Sequence, residues 1–403
     1  MARIGRIWSP LKMFGLRPGK EVRLGEEEDR YPRRAFLHET GRKLAGFSLA
    51  STLAPGSFDM TQRQTEPSSS SAISPVTRYE LDPAWPRKPE SLGTWAGNPA
   101  VMVDDGQQVW VSNRAFPAML IFDTAGNFVR AWDSPELFSE KGPALFQSRQ
   151  KGPYNLHLFR FDAAGNIWVA NTNRHVIQKC DRDGNVLLTI GTLDMPGEDQ
   201  THMNRPTDMT VTTAGVFVSD GYGNRRVIHF SHEGRFIRAW GKNGVGPEDF
   251  IDPHAICHIG EHLYVVDRGN IRIKVYDFNG RLLDIWRDLM IPWPLVPTAD
   301  GAMWTCGCTP IRLDQYTEIT GGKLQQDQIA VKFNPEGRIL QIWAFPTCPR
   351  SDRHVPGRMN MLHGICEDAQ GNLYLGEAFN PGPQKYICSN QLNTTVKGEF
   401  PAD

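Results

Sequence analysis

Apolar and polar positions alternate in short runs through most of this chain. From about residue 91 one phrase returns: an apolar strand, a short turn, a second strand, a four-residue turn ending in glycine, and a strand ending in tryptophan. Val109-Trp110-Val111-Ser112-Asn113-Arg114 leads to Asp123-Thr124-Ala125-Gly126 and Trp132, and Ile167-Trp168-Val169-Ala170-Asn171 leads to Asp181-Arg182-Asp183-Gly184. Val216-Phe217-Val218-Ser219-Asp220 leads to Ser231-His232-Glu233-Gly234 and Trp240; Leu263-Tyr264-Val265-Val266-Asp267 leads to Asp277-Phe278-Asn279-Gly280 and Trp286. Met303-Trp304-Thr305 reaches Asn334-Pro335-Glu336-Gly337 and Trp343 after an insertion, and Leu373-Tyr374-Leu375-Gly376-Glu377 opens a sixth unit that the chain does not finish. The alternation is that of half-buried antiparallel strands, and the glycines supply the positive φ that tight hairpins need.

The turn glycines lie 46 to 58 residues apart, a blade-sized period. The fold expected is therefore all-β, a six-bladed β-propeller of four-stranded blades. Its incomplete last blade needs a closing strand, and Arg78-Tyr79-Glu80-Leu81 ahead of the first blade is the natural donor.

Three histidines recur at one phase of alternate units: His157 in Tyr154-Asn155-Leu156-His157, His254 in Asp252-Pro253-His254, and His363 in Met361-Leu362-His363. In a closed ring three imidazoles at one phase meet near the axis. Three neutral imidazoles and one open position suit zinc, which then acts as a Lewis acid on a bound hydroxyl. The phase requires a shorter loop after His254, which reaches its turn glycine in six residues where His157 and His363 take eight. The remaining propeller histidines, His175, His202, His229, His232, His258, His262 and His354, lack this phase and are expected at surface or loop positions.

Composition narrows the classes. A net charge of -1 gives no reason to expect nucleic acid as a partner. The 38 glycines and 29 prolines suit a turn-rich β protein, and seven scattered cysteines do not form a disulfide framework. Cys306-Gly307-Cys308 reads as two thiols in a strand, with a regulatory disulfide or soft-metal site as the alternative. Residues 1–56 hold Arg33-Arg34-Ala35-Phe36-Leu37 and the short apolar run Leu44–Ala50, a twin-arginine-like signal region, with Met13 as an alternative start. That run is too short for a stable membrane anchor, which takes about 20 apolar residues. Residues 57–75, with Ser68-Ser69-Ser70-Ser71, read as a disordered linker, leaving 76–403 as the catalytic propeller. Export to the periplasm or beyond, as a monomer, is the expectation.

The repeats resemble NHL repeats. Arg205-Pro206-Thr207-Asp208, Val216-Phe217-Val218-Ser219-Asp220-Gly221-Tyr222-Gly223-Asn224-Arg225-Arg226, Asp252-Pro253-His254 and Asp267-Arg268 more closely resemble the peptidyl-α-hydroxyglycine α-amidating lyases, a zinc-dependent family. The resemblance implies that Tyr222 takes the proton of the substrate's α-hydroxyl. It also implies that Arg268 and Arg114 serve as phenolate support and carboxylate clamp, and that Met361 lies beside the metal on the substrate's side. The reaction implied is cleavage of an N–Cα carbinolamide to an amide and glyoxylate, on a small or peptide-like α-hydroxyglycine substrate, with zinc as sole cofactor.

Two departures limit the likeness. The family's structural calcium takes an acidic residue directly after the third histidine, with main-chain carbonyls near Val101 and Phe159; Gly364 stands at the acidic position, which disfavours calcium. The family's two cysteine pairs are replaced together, by Asn204 with Gly223 and by Tyr264 with Val275. No copper monooxygenase segment accompanies the propeller in this sequence, which points toward another small carbinolamide as substrate. Two other readings remain: a lactonase-type metal hydrolase, disfavoured because such sites rely on Glu, Asp and Asn ligands, and a non-catalytic exported propeller binding a protein or glycan. Tyr222 and the two arginines gathered around the histidines would separate the enzyme from the binding module.

Overall fold

A computed structural model describes residues 76–391 apart from 96, 115–116, 135–136, 138–155, 288–289, 310–327, 348–354 and 379–381. The twin-arginine-like segment, Met13, the 57–75 stretch, Tyr154-Asn155 and His354 lie outside the described residues. The chain divides between Ser70 and Ser71 into two units, and only the second contains described residues.

That unit begins with β1 (Val76–Asp82). Blade 1 is β2 (Val101–Val103), β3 (Gln108–Ser112), β4 (Met119–Asp123) and β5 (Phe128–Trp132); blade 2 is β6 (Leu156–Phe161), β7 (Ile167–Asn171), β8 (Val176–Cys180) and β9 (Val186–Ile190). Blade 3 is β10 (Asp208–Thr212), β11 (Gly215–Asp220), β12 (Arg226–Phe230) and β13 (Phe236–Trp240). Blade 4 is β14 (Pro253–Ile259), β15 (His262–Asp267), β16 (Arg272–Asp277) and β17 (Leu282–Arg287). Blade 5 is β18 (Ile291–Pro297), β19 (Met303–Cys308), β20 (Gln328–Phe333) and β21 (Ile339–Phe345), and blade 6 holds β22 (Leu362–Glu367), β23 (Leu373–Glu377) and β24 (Gln384–Gln391). Each of the first five blades is an antiparallel meander in chain order, while the sixth runs β22-β23-β24-β1. First strands neighbour one another from β6 through β10, β14, β18 and β22 to β2, so the innermost strands line the channel of a six-bladed propeller.

The expected closing strand is β1. It pairs antiparallel with β24 from Val76↔Gln391 to Asp82↔Lys385, so the outermost strand of the last blade comes from the start of the domain. Tyr79 meets Trp343 of blade 5 edge to face at 4.8 Å, and the Lys385 ammonium donates to the Thr124 carbonyl of blade 1.

Packing lies between blades rather than in one centre. Trp168, Ile177 and Ile190 of blade 2 pack on Met209, Val216 and Ile228 of blade 3, and Trp304, Cys306 and Phe345 of blade 5 pack on Ile365, Leu373 and Tyr386 of blade 6. Middle strands such as β11 are buried throughout, whereas outer strands such as β21 alternate. The turn glycines have two reasons to be glycine. Gly280 and Gly337 sit at φ +82° and +81°, and a Cβ there would stand 3.0 and 2.5 Å from the rings of Trp240 and Trp286, the terminal tryptophans of the preceding blades. In blades 4 and 5 the turn thus packs on the tryptophan that closes the blade before it.

Pro292, Pro294 and Pro297 stand in β18, where no strand was read from the sequence. Proline lacks the N–H a central strand needs, but β18 is a sheet edge facing the channel, which tolerates it.

Tyr79→Ala is expected to cost about 2–3 kcal/mol of stability, since the latch loses its aromatic contact across blades 5 and 6. Deletion through Asp82 should also expose β24 as an open edge and promote self-association. Urea denaturation and size-exclusion chromatography check both, and unchanged behaviour of the deletion would refute the latch.

Candidate functional site

His157, His254 and His363 are each the second residue of an innermost strand: β6, β14 and β22, in alternate blades. At each the ladder slips. Pairing passes over His254 between Pro253↔Asp267 and Ala255↔Val266, and over His363 between Leu362↔Glu377 and Gly364↔Gly376. It passes over His157 and Leu158 between Leu156↔Asn171 and Phe159↔Val169. A bulge frees a side chain from the alternation of its strand; here three bulges turn three imidazoles toward one another. The loop after β14 is short as required, with Ile259 opposite His262, against Phe161 opposite Ile167 in blade 2.

The ring centroids stand 4.7, 5.0 and 5.1 Å apart, and the potential ligand atoms lie within 4.8 Å of one another. Each Nδ1 faces a backbone carbonyl of the following blade: His157 to Thr207 at 2.7 Å, His254 to Trp293 at 2.8 Å, His363 to Pro99 at 2.7 Å. A carbonyl only accepts, so Nδ1 carries the proton and Nε2 presents a lone pair. Burial, reinforced by Arg114, Arg268 and Arg205, pushes His157 down to about 3. Burial also holds His254 and His363 well below the usual imidazole range. The cluster is neutral, as ligation requires.

Tyr222, in the loop after β11, brings its hydroxyl to 2.9 Å from His157 Nε2 and 3.0 Å from His254 Nε2. Its one proton can serve only one of them at a time. Burial raises the phenol's pKa, and the nearby Arg268, Arg114 and Arg205 oppose that rise. Arg268, following β15, lies 5.5 Å from the Tyr222 ring and 4.3 Å from the Trp293 ring, ion-paired with Asp252. Arg114, following β3, donates to the Ala378 carbonyl at 3.0 Å, and its charge acts on His157, His363 and Tyr222. Met361 precedes β22, half-buried, its carbonyl accepting from Ala378 N–H. The tyrosine and both arginines named from the sequence thus gather at the histidines.

Two neighbours were missed. Trp293 in β18 receives His254 Nδ1–H on its carbonyl and sets its ring 5.2 Å from His254 and 5.1 Å from His363. A signal existed: Trp293 stands eleven positions before Trp304, as His157 does before Trp168 and His363 before Tyr374. Arg205 was seen only as part of a motif, yet its guanidinium lies 5.0 Å from the Tyr222 ring.

The donor set fits a metal at the three imidazoles: neutral, buried, each oriented by a second hydrogen bond. It does not fit calcium deeper in the channel. Gly364 brings no side chain, and Val101 and Phe159 are buried in apolar clusters. Asp208, whose neighbour Arg160 follows Phe159 directly, is already engaged. Arg160 spans the channel from blade 2, bonding both Asp208 oxygens and the Leu295 carbonyl of blade 5, while Ile256 N–H also reaches Asp208. The Asp208 carboxylate is answered by a guanidinium instead of being free for a metal cation.

Some expectations need correction. His229 is not a surface or loop residue; it lies in β12, buried and stacked on Phe217 at 4.0 Å, because its blade face packs against Phe278 and Trp240 of the neighbouring ring cluster. His258 lies in β14, bonded to Thr210 Oγ1, whereas His175 does stand in a turn, where it is buried and accepts the Arg205 N–H on Nδ1. None of the described cysteines forms a disulfide; Cys306 is buried, and burial pushes its thiol far up. The positions matched to lost cysteine pairs do adjoin: a Cβ on Gly223 would meet Asn204, and Tyr264 is the cross-strand partner of Val275.

The fold and site define an NHL-type six-bladed propeller with a buried three-histidine centre. A family model described as TolB-like 6-blade propeller-like matches residues 192–295. The chain is 28% identical to "NHL repeat-containing protein 3" of Homo sapiens over 77% of this chain and 85% of that protein. It is 31% identical to "Probable peptidyl-alpha-hydroxyglycine alpha-amidating lyase pgal-1" of Caenorhabditis elegans, over 35% of this chain and 40% of that one. It is 33% identical to "Peptidylglycine alpha-amidating monooxygenase" of Rattus norvegicus over 44% of this chain, an alignment spanning 19% of that relative's length. The chain is thus an NHL propeller that resembles the amidating lyases.

Two predictions follow from the channel. Asp208→Leu should cost about 3–5 kcal/mol by stranding a buried guanidinium, and adding Arg160→Met should recover most of it in urea melts. Because folding depresses the His157 pKa to about 3 from the ordinary 6.5, this group's contribution is present above pH 6.5 and lost as pH falls toward 3. Metal-stripped protein should therefore lose stability between pH 6.5 and 4, with a shallower slope in His157→Gln; equal slopes would refute the assignment.

Proposed function

We propose that this chain is a zinc-dependent lyase cleaving a carbinolamide, R–CO–NH–CH(OH)–COO⁻, into the amide R–CO–NH₂ and glyoxylate. The observation that carries the reading is the meeting of three buried, neutral Nε2 atoms with the Tyr222 hydroxyl. Two of the three Nε2 acceptors share the single Tyr222 hydroxyl proton, a poor resting network for buried imidazoles, because buried polar atoms without partners are costly. A cation satisfies all three.

Zinc held by His157, His254 and His363 would supply Lewis acidity toward the substrate hydroxyl. Tyr222 stands within hydrogen-bond reach of that centre and takes the hydroxyl proton; as the C–O bond becomes C=O, the C–N bond breaks and the amide nitrogen gains a proton. No electrons leave the substrate, so no redox cofactor is needed. Arg268, stacked near the Tyr222 ring, favours the phenolate against the cost of burial. Arg114 receives the substrate carboxylate, which guanidinium matches bidentately, and Met361 flanks the substrate. Export by the twin-arginine route, which carries folded, metal-loaded proteins, belongs to the same proposal.

Elemental analysis of the purified chain should find about one zinc per chain, lost in His254→Ala. Tyr222→Phe should retain zinc while glyoxylate release from an α-hydroxyglycine substrate falls about 100-fold or more. Folded protein without stoichiometric metal, or full activity in Tyr222→Phe, would overturn the reading.

A further inference from the structure

Among the described residues Arg205 is a guanidinium at this site with no carboxylate in salt-bridge contact; Asp252, which acts on it from a distance, is ion-paired with Arg268. It sits at the entrance to β10, on the same end of blade 3 as Tyr222, and its backbone is pinned on both sides. Its N–H donates to His175 Nδ1 at 3.2 Å and its carbonyl accepts the Tyr222 N–H at 3.3 Å. Its φ is +62°, a left-handed conformation that a non-glycine residue adopts at a cost and that recurs at functional sites.

The side chain is half-buried, 5.0 Å from the Tyr222 ring. Arg268 has Asp252 as a salt-bridge partner; among the described residues Arg205 has no such partner, and its buried Nε has no hydrogen-bond acceptor. A buried guanidinium nitrogen without an acceptor costs free energy unless a ligand supplies one. The backbone restraints fix where the side chain leaves the main chain, and its guanidinium lies against the Tyr222 ring.

We propose that Arg205 binds a second anionic group on the substrate, so that the site takes a small carbinolamide whose acyl portion carries a carboxylate. This rests on the proposed lyase reading, in which Arg114 takes the α-carboxylate. The chemistry is otherwise unchanged: ⁻OOC–(CH₂)n–CO–NH–CH(OH)–COO⁻ gives ⁻OOC–(CH₂)n–CO–NH₂ and glyoxylate, with atoms and charge balanced. A neutral peptide chain would leave Arg205 unanswered, so the residue selects against it.

Binding tests this apart from turnover. Isothermal titration of the full chain with N-succinylglycine and with N-acetylglycine, neither of which can be cleaved, should give at least about tenfold tighter binding of the dianion, the scale of one charged hydrogen bond. Arg205→Gln should erase that difference while leaving N-acetylglycine affinity unchanged, and Arg205→Lys should keep part of it. Equal affinities in wild type, binding of neither ligand, a preference that survives Arg205→Gln, or a loss confined to N-acetylglycine would each overturn the proposal. The wild-type comparison decides even where a variant fails to fold. Dianion preference without glyoxylate release would leave Arg205 as an anion site and sink only the lyase.

Discussion

The site depends on three hydrogen bonds that cross from one blade to the next. His157 of blade 2 donates to Thr207 before β10, His254 of blade 4 to Trp293 of blade 5, and His363 of blade 6 to Pro99 ahead of blade 1. Each bond sets the tautomer, and each has its acceptor on a separate sheet. The imidazoles therefore converge only if neighbouring blades hold their spacing, and the third bond also needs the ring to close. The pairing of β1 with β24, remote from the channel, is thereby tied to the placement of His363. Local strand propensity alone cannot build this centre; the inter-blade aromatic packing that fixes the blade positions is what does.

Electrostatics follow from that arrangement. Burial and three nearby guanidiniums both disfavour a charged imidazole, so His157 is driven far down. The same guanidiniums favour a charged phenol, while burial opposes it, so Tyr222 is under competing pressures. A site that keeps its imidazoles neutral and sets its phenol near several guanidiniums is suited to receiving anions. Farther along the channel the opposite solution is used: Arg160 and Asp208 satisfy each other, with Ile256 N–H and the Leu295 carbonyl completing the set. One level of the channel is closed electrostatically and the other is open.

Much of this was legible in the sequence because repetition amplifies weak signals. One four-residue turn ending in glycine means little, but five at blade spacing, each followed by a strand and usually by a closing tryptophan, specify blades. The three histidines were legible as a phase, and Tyr222, Arg268 and Arg114 through likeness to a known motif. β18 was not, because Pro292, Pro294 and Pro297 hide a strand that only a channel edge permits. Trp293 was lost with it. Arg205 was overlooked because its importance lies in a missing partner, which no linear pattern records. His229 misled because its absence from the axial phase says nothing about whether an outer blade face buries it.

The bulges explain why the metal reading outweighs that of a bare binding propeller. In an unbroken strand, residues at the phase of His157, His254 and His363 would alternate with their neighbours between blade faces and pack there. Each of the three has left the ladder, and each leaves its partner strand short of a pairing residue. A stabilising role would not require that sacrifice three times, since an apolar residue in register would pack better than a buried imidazole. Nor do the donors resemble those of a lactone-opening site, for they are imidazoles throughout. The ladder of β18 also slips between Pro292 and Leu295, at Trp293, so what marks the three blades is the histidine standing at the bulge: three neutral donors brought to one point.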